Sequence, residues 1–218
     1  MATTISIPNG SIGFDYCSSR LSYTQAKDYA GKGYKFCIRY LPNPRSPGTC
    51  DLIASEVDEI LASGLWVGAV QHCCEDTVDS HFVPTPLMGK EWGQLAAQRS
   101  SDAGLSPGTT IWLDLEGVQS GTPTSDILGF CNLWFDQVTQ VGFAPGLYVG
   151  FDPGLTSQQL YFQLTTKHYW RAPSAAPDVT CRGYQILQHI LKDAHGNEMD
   201  FNHAQTDCLG LNATMTSQ

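Results

Sequence analysis

The sequence predicts an α/β fold: a single irregular TIM-like (β/α) barrel, with five β/α units followed by three strands on short connections. Three observations predict it. Short apolar runs rich in β-branched and aromatic residues alternate with helix-forming runs along the 218 residues. The alternation yields eight strand candidates, the number that closes such a barrel. Acidic motifs fall at three of these runs, and a barrel of parallel strands brings strand ends to one rim.

The strand candidates span residues 11–17, 36–41, 66–73, 110–117, 146–150, 168–172, 183–190 and 198–204. Each is bounded by Gly, Pro or polar residues. Helices are expected between the first five. Residues 23–31 follow Ser22, a natural N-cap, and end near Gly31 and Gly33. Residues 53–62 place Ile53, Val57, Ile60 and Leu61 on one stripe. Residues 90–103 stop at Gly104, and residues 125–141 carry a broad apolar face that includes Ile127, Cys131, Trp134 and Val138. Residues 156–164 follow the fifth strand. Beyond it the helices fail: residues 172–183 and 190–198 hold Pro173, Pro177, Gly196 and Asn197, and read as loops. The expectation is one domain over 1–218, with its core at about 11–210. An open doubly wound sheet is the main alternative. No Gly-x-Gly-x-x-Gly follows the first strand, so a dinucleotide fold has no support.

Composition excludes several functions. A charged fraction of 15% beside 42% hydrophobic residues is not that of a disordered chain. No apolar run approaches the ~18 residues of a membrane helix. A net charge of −9 argues against nucleic acid as a partner and says little about a neutral sugar. The first eight residues hold no basic segment followed by an apolar core, so no signal peptide is visible. Of the eight cysteines only Cys73 and Cys74 sit close together, which does not support a zinc site. Disulfides and buried thiols both remain open. Asn9-Gly10-Ser11 and Asn212-Ala213-Thr214 fit a glycosylation sequon that also arises by chance.

The chemistry lies in Gly13-Phe14-Asp15-Tyr16, Trp112-Leu113-Asp114-Leu115-Glu116-Gly117 and Met199-Asp200-Phe201-Asn202, each read as closing an apolar run. Side chains alternate along a strand, so Asp114 and Glu116 share a face ~7 Å apart along the backbone, with Trp112 below them. Two acids among Ile111, Leu113 and Leu115 are costly unless paired or used. A purely structural reading would tie them to an arginine such as Arg39 or Arg171, or cap the next helix. If two carboxylates are close, their pKa values separate, giving an acid for a leaving oxygen and an anion for a positive sugar ring. Glu116, furthest towards the rim, is the expected acid. Asp114, Asp15 and Asp200 are the expected stabilising or orienting carboxylates. Trp112, Tyr148, Trp170, Asn202, Gln71 and Gln185 are the expected substrate contacts, with Tyr184 a further aromatic on these strands. Aromatics also fill barrel interiors. His72 ends the third strand, but Cys73 points to the opposite face, so a hydrogen-bonding histidine is expected rather than a Cys/His nucleophile.

The ordered motifs resemble glycoside hydrolase family 25, the lysozyme-type muramidases. They resemble still more closely the related glycoside-hydrolase-like barrels of unassigned function. The resemblance runs through Gly13-x-Asp15, Val67-Gly68-Ala69, Asp114-x-Glu116, Pro145-Gly146-Leu147-Tyr148, Trp170-x-Ala172 and Asp200-x-Asn202. It implies a flattened barrel, cleavage of the N-acetylmuramic acid–N-acetylglucosamine bond of peptidoglycan, Glu116 as general acid, and no metal or organic cofactor. Val70-Gln71-His72 departs from the family's Tyr-His pair, and the insertion over residues 42–52 from its usual short connection. The expected enzyme is a monomer acting on a glycan, with no nucleic-acid or membrane partner. An extracellular or cell-wall-directed place is favoured by that substrate and by the cysteine count. The alternatives are a catalytically inactive glycan-binding barrel and an enzyme for another polymer such as chitin.

Overall fold

The computed structural model describes residues 2–45, 48–73, 81–192 and 198–218. In chain order the elements are β1 (Thr3–Ser6), β2 (Ile12–Tyr16), α1 (Tyr23–Gly31), β3 (Phe36–Tyr40), α2 (Ala54–Ser63), β4 (Trp66–His72), α3 (Pro86–Asp102), β5 (Thr110–Leu115), α4 (Thr124–Gln140), β6 (Ala144–Val149), α5 (Ser157–Phe162), β7 (His168–Arg171), β8 (Ile186–Lys192), β9 (Glu198–Ala204) and β10 (Thr214–Ser217). Cys74, Gly196 and Asn197, named above, lie outside the described residues.

Strands β2 to β9 close a mixed barrel in the order β4-β3-β2-β9-β8-β7-β6-β5, and β5 pairs back to β4. All neighbours from β2 through β8 are parallel. The exception is β9, antiparallel to both β8 and β2. This corrects the all-parallel expectation. The link from β8 to β9 is too short for a crossover, so the chain must turn back on itself.

The five expected helices form, and several of their ends have local reasons. Ser22 and Gln25 make a reciprocal capping box on α1, and Thr156 and Gln159 make one on α5. Helix α3 starts earlier than expected, because Thr85 caps it and Pro86 occupies its first turn. Gly64, at φ 94°, stops α2 in the left-handed conformation that glycine adopts without penalty.

Period-two alternation separates two cores. Outward residues such as Phe14, Cys37, Val67, Ala69, Leu113, Leu147 and Tyr169 pack against the helix layer. Inward residues Phe36, Ile38, Val70, Trp112, Trp170, Ile186 and Ala204 fill the barrel, joined by Ile7, Ala213 and Met215. Those last three belong to the β1 and β10 ends, outside the expected 11–210 core. Strands β1 and β10 pair antiparallel, and β10 meets β4 at Thr216 and Val67.

Arg39 faces outward on β3. Its Nε donates to Glu56 of α2 at 2.8 Å, and its guanidinium also donates to the carbonyls of Tyr16, Ser19 and Cys50. It thereby ties the loop after β2 and the insertion after β3 to the barrel wall. It is not the partner of Asp114, because its strand phase points away from the interior. Cys17, Cys37, Cys50, Cys131, Cys181 and Cys208 are free thiols, with Cys37 and Cys131 packed in the core as small apolar groups.

Candidate active site

The acidic motifs meet at the rim formed by the carboxyl ends of the parallel strands. On β5 the inward phase runs Trp112, Asp114 and then Glu116 just beyond the strand, while Ile111, Leu113 and Leu115 face the helices. His72 ends β4 in register with Asp114. Its Nδ1 lies 2.6 Å from Asp114 Oδ2 and 3.9 Å from Glu116 Oε1. Asp114 is 2% exposed. The side chains of His72 and Glu116 keep 22% and 18% exposure, so only these two open towards solvent.

The electrostatics separate the two acids. Burial pushes the Glu116 carboxyl up to about 8, and the Asp114 charge adds to this against the pull of His72. Burial disfavours a charged ring on His72, but the Asp114 carboxylate outweighs it, helped by Glu116, and the ring is held up to about 9. Both shifts run in the same sense, favouring a charged ring on His72 against Asp114 and a proton on Glu116. Gly150, just past β6, makes room for that acid: a Cβ there would overlap Cβ and Oε2 of Glu116.

Asp15 anchors the other half of the mouth. Its Cα pairs with that of Asp200, which stands near the start of β9. Because β9 runs downward, an acid near its start reaches the same rim as acids at the ends of β2 and β5. Asp200 therefore does not close its strand, as the sequence suggested. Asp15 Oδ2 accepts from Gln188 Nε2 at 2.8 Å and Asn202 Nδ2 at 2.6 Å, and the Tyr148 hydroxyl donates to Gln188 Oε1 at 2.8 Å. Complete burial, with the Asp200 charge behind it, pushes Asp15 up to about 8 despite those bonds. Among the described residues, Oδ1 of Asp15, Asp114 and Asn202 and Nε1 of Trp112 and Trp170 are buried without a hydrogen-bond partner. Such atoms are normally satisfied. A ligand carrying both donors and acceptors could meet them.

The structure brings Asp15, Asp114, Glu116, Asp200, Asn202 and Tyr148 together. It does not bring Gln71 or Gln185. Gln71 is in the outward phase, next to inward Val70 and His72, and its Oε1 accepts from Trp134 of α4 at 2.7 Å. Gln185 faces outward at the opposite end of the barrel, bonded to Tyr169, Lys167 and Asp207. Tyr184 packs in the outer core and donates to Pro177 O. Trp112 and Trp170 do lie on the inward face, but they are almost wholly buried and packed edge to face, with Tyr148 against Trp170 at 4.6 Å. They form the floor under the acids, not a stacking surface for a sugar.

Gln188 and Tyr40 were missed. Gln188 shares the inward phase with Ile186, and a polar residue near the rim end of a strand was the available signal. Tyr40 ends β3 with its ring 6.4 Å from His72. Burial raises its hydroxyl well above the usual range, and the charges of Asp15 and Asp114 raise it further. One atom each of His72, Asp114 and Glu116 lies within 4.8 Å of the others, a donor set that could hold a divalent cation. Spacing between cysteines gave no hint of it.

The profile of the Rv2525c-like, glycoside hydrolase-like domain matches residues 27–202. This chain belongs to that family. The solved structures it resembles share its fold at low identity. The Tat-secreted protein Rv2525c of Mycobacterium tuberculosis, solved with HEPES and with L-tartrate, superposes with a TM-score of 0.65 at 14% identity, over 89% of this chain and 95% of that one. The catalytic domain of endolysin ply40 from bacteriophage P40 of Listeria monocytogenes gives 0.60 at 14%, over 89% and 93%. The modular autolysin LytC of Streptococcus pneumoniae, also solved with a synthetic peptidoglycan ligand, gives 0.57 at 12%, over 88% and 46%. No curated protein sequence matches the chain. The fold of the family is thus that of lysozyme-like cell-wall hydrolases. No helix among the described residues is long and apolar enough to cross a membrane.

Proposed function

We propose that the chain is a glycoside hydrolase acting on peptidoglycan or a related amino-sugar polymer. One observation carries the reading: the carboxyl groups of Asp114 and Glu116, from one strand end, share the mouth, with His72 Nδ1 2.6 Å from Asp114 and burial raising the Glu116 carboxyl. Glu116 Oε–H protonates the glycosidic oxygen as the bond to the leaving sugar breaks. Positive charge then develops on the ring carbon and oxygen, the acidic cluster of Asp114 and Asp200 stabilises it, and water adds to that carbon with loss of a proton that restores the acid. His72 orients Asp114. Asp15, its carboxyl raised by burial, orients substrate through hydrogen bonds together with Asn202, Gln188 and Tyr148. The buried unpartnered atoms beneath suit an acetamido group, which offers an N–H and a carbonyl. The fold shared with an endolysin catalytic domain and an autolysin supports a cell-wall substrate.

Glu116→Gln keeps the shape of the site and removes the proton. We expect a loss of turnover of about 10³-fold, within the range of general-acid catalysis, with an unchanged circular dichroism spectrum. The readout is clearing of a peptidoglycan suspension, with products identified by mass spectrometry. A variant as active as the wild type would sink the assignment. Saturable glycan binding with no product from the wild type would make the barrel a binding module.

A further inference from the structure

A groove of about 550 Å³ opens beside the mouth, lined by Arg171, Pro173, Leu187, His189, Ile190 and Phe201, with Ala172 and Gln188 completing its wall. Its origin lies in the sheet. Strands β7 and β8 pair at only two positions, Trp170 with Ile186 and Arg171 with Leu187. Above Arg171 no further pair joins β7 to β8, while Ala172 N still donates to Val149 O of β6. Strand β8 continues upward paired with β9 alone. Among the described residues, the edge of β8 over 188–190 is therefore unpaired on its β7 side, and it faces the groove. The groove is a notch in the barrel wall, and Gln188, whose amide holds Asp15, joins it to the acidic site.

Arg171 is the unusual member of this lining. The chain carries 21 acidic and 12 basic residues, so an arginine without a carboxylate is not for want of partners. Among the described residues no ion pair joins Arg171 to an acid. Its Nε is buried without a hydrogen-bond partner, and its guanidinium carbon stands 6.0 Å from the Tyr184 ring. A guanidinium held this way matches a carboxylate in shape and charge. Beside it, Leu187, Ile190, Phe201 and Pro173 offer an apolar wall.

We propose that this notch binds the carboxylate-bearing peptide branch of the substrate. The proposal rests on the hydrolase reading for the identity of the substrate. A glycan strand must lie across Asp114 and Glu116, so a lateral notch suits a branch leaving that strand. The free edge of β8 can add an extended peptide by main-chain hydrogen bonds, which a sugar cannot copy. Arg171 then takes a carboxylate of the peptide, and the apolar wall takes its aliphatic side chains.

The test uses the whole chain and a synthetic stem tetrapeptide, alanyl-γ-glutamyl-lysyl-alanine, with its carboxylates free or amidated. Titration followed by calorimetry and by backbone NMR should show binding of the free acid, with amide shifts at 188–190. Amidation, or Arg171→Gln, should weaken it roughly tenfold or more. The ratio of kcat/KM on stem-bearing strands to that on strands stripped of peptide should fall similarly in Arg171→Gln. Equal binding of acid and amide, or no shift at 188–190, overturns the proposal. The two readings fail separately. Peptide binding with no cleavage of any glycan leaves the notch and removes the hydrolase. Cleavage with no peptide binding does the reverse.

Discussion

The site is asymmetric because its acids sit in different fields. As the general acid proposed above, Glu116 must be protonated to act, and burial beside Asp114 raises its carboxyl to about 8. We therefore expect kcat/KM to fall about tenfold per pH unit above pH 8, as the acid ionises. Against its burial, the His72 ring is raised too, by Asp114 and Glu116, so the alkaline limb reports the two groups as a unit. A profile flat to pH 10 would refute this. Asp15 has the opposite consequence for stability. An unfolded aspartate ionises near 3.8, whereas the folded one holds its proton to about 8. Between those values the unfolded chain has released a proton that the folded chain keeps, so stability falls as pH rises through that window. Asp15→Asn removes the penalty while an amide oxygen still accepts from Gln188 and Asn202. It should stabilise the fold by roughly 1–3 kcal/mol at pH 8 and by almost nothing at pH 4. Thermal unfolding at the two pH values measures it, and equal shifts at both would contradict the assignment.

At the scale of elements, strand phase decides what was legible in the sequence. Alternation placed Asp114, Glu116 and Trp112 on one face, and the structure has them there. The same rule, applied to Val70-Gln71-His72, puts Gln71 on the helix side as soon as His72 faces inward. The misplacement of Gln71 was thus a failure to apply parity, not a gap in the sequence. Strand direction is different. It is set not by the residues of β9 but by the short link before it, which the sequence already displays. Strands β1 and β10 were missed because Thr3–Ser6 and Thr214–Ser217 are mostly Thr and Ser, with little apolar alternation to read. Burial of the tryptophans was equally out of reach, since their depth depends on how eight strands close. Strand ends also matter for the proposed catalysis. Gly150→Ala would force Glu116 aside, because the new Cβ occupies the place of its Cβ and Oε2. A displacement of about 1 Å costs on the order of 10²-fold in rate. We expect that loss in kcat with the circular dichroism spectrum intact, and a variant of full activity would show that Glu116 need not stand there.

At the scale of the whole molecule, local and long-range charge act in opposite directions. The chain carries a net −9, a field that belongs to the surface as a whole, since burial favours the neutral forms of Asp15 and Glu116 in the mouth. The proposed substrate, a cell wall rich in carboxylates and phosphates, is also anionic, so approach to it would be opposed over distances comparable with the Debye length. That length is about 30 Å at 0.01 M salt and about 8 Å at 0.15 M. Salt within this range should remove most of the long-range repulsion. It should weaken the contact of a carboxylate with Arg171 much less, because close, partly buried pairs are poorly screened. Which effect wins is then a matter of range, and repulsion, the longer in reach, loses more. On intact walls kcat/KM should rise severalfold between those two salt concentrations, as expected for association opposed by like charge. A short uncharged oligosaccharide supplies the control, since it has no charge for the protein's field to repel. Its rate should stay flat over the same range. A fall in rate on walls with rising salt would mean that attraction at local cationic groups, Arg171 among them, governs encounter despite the sign of the whole.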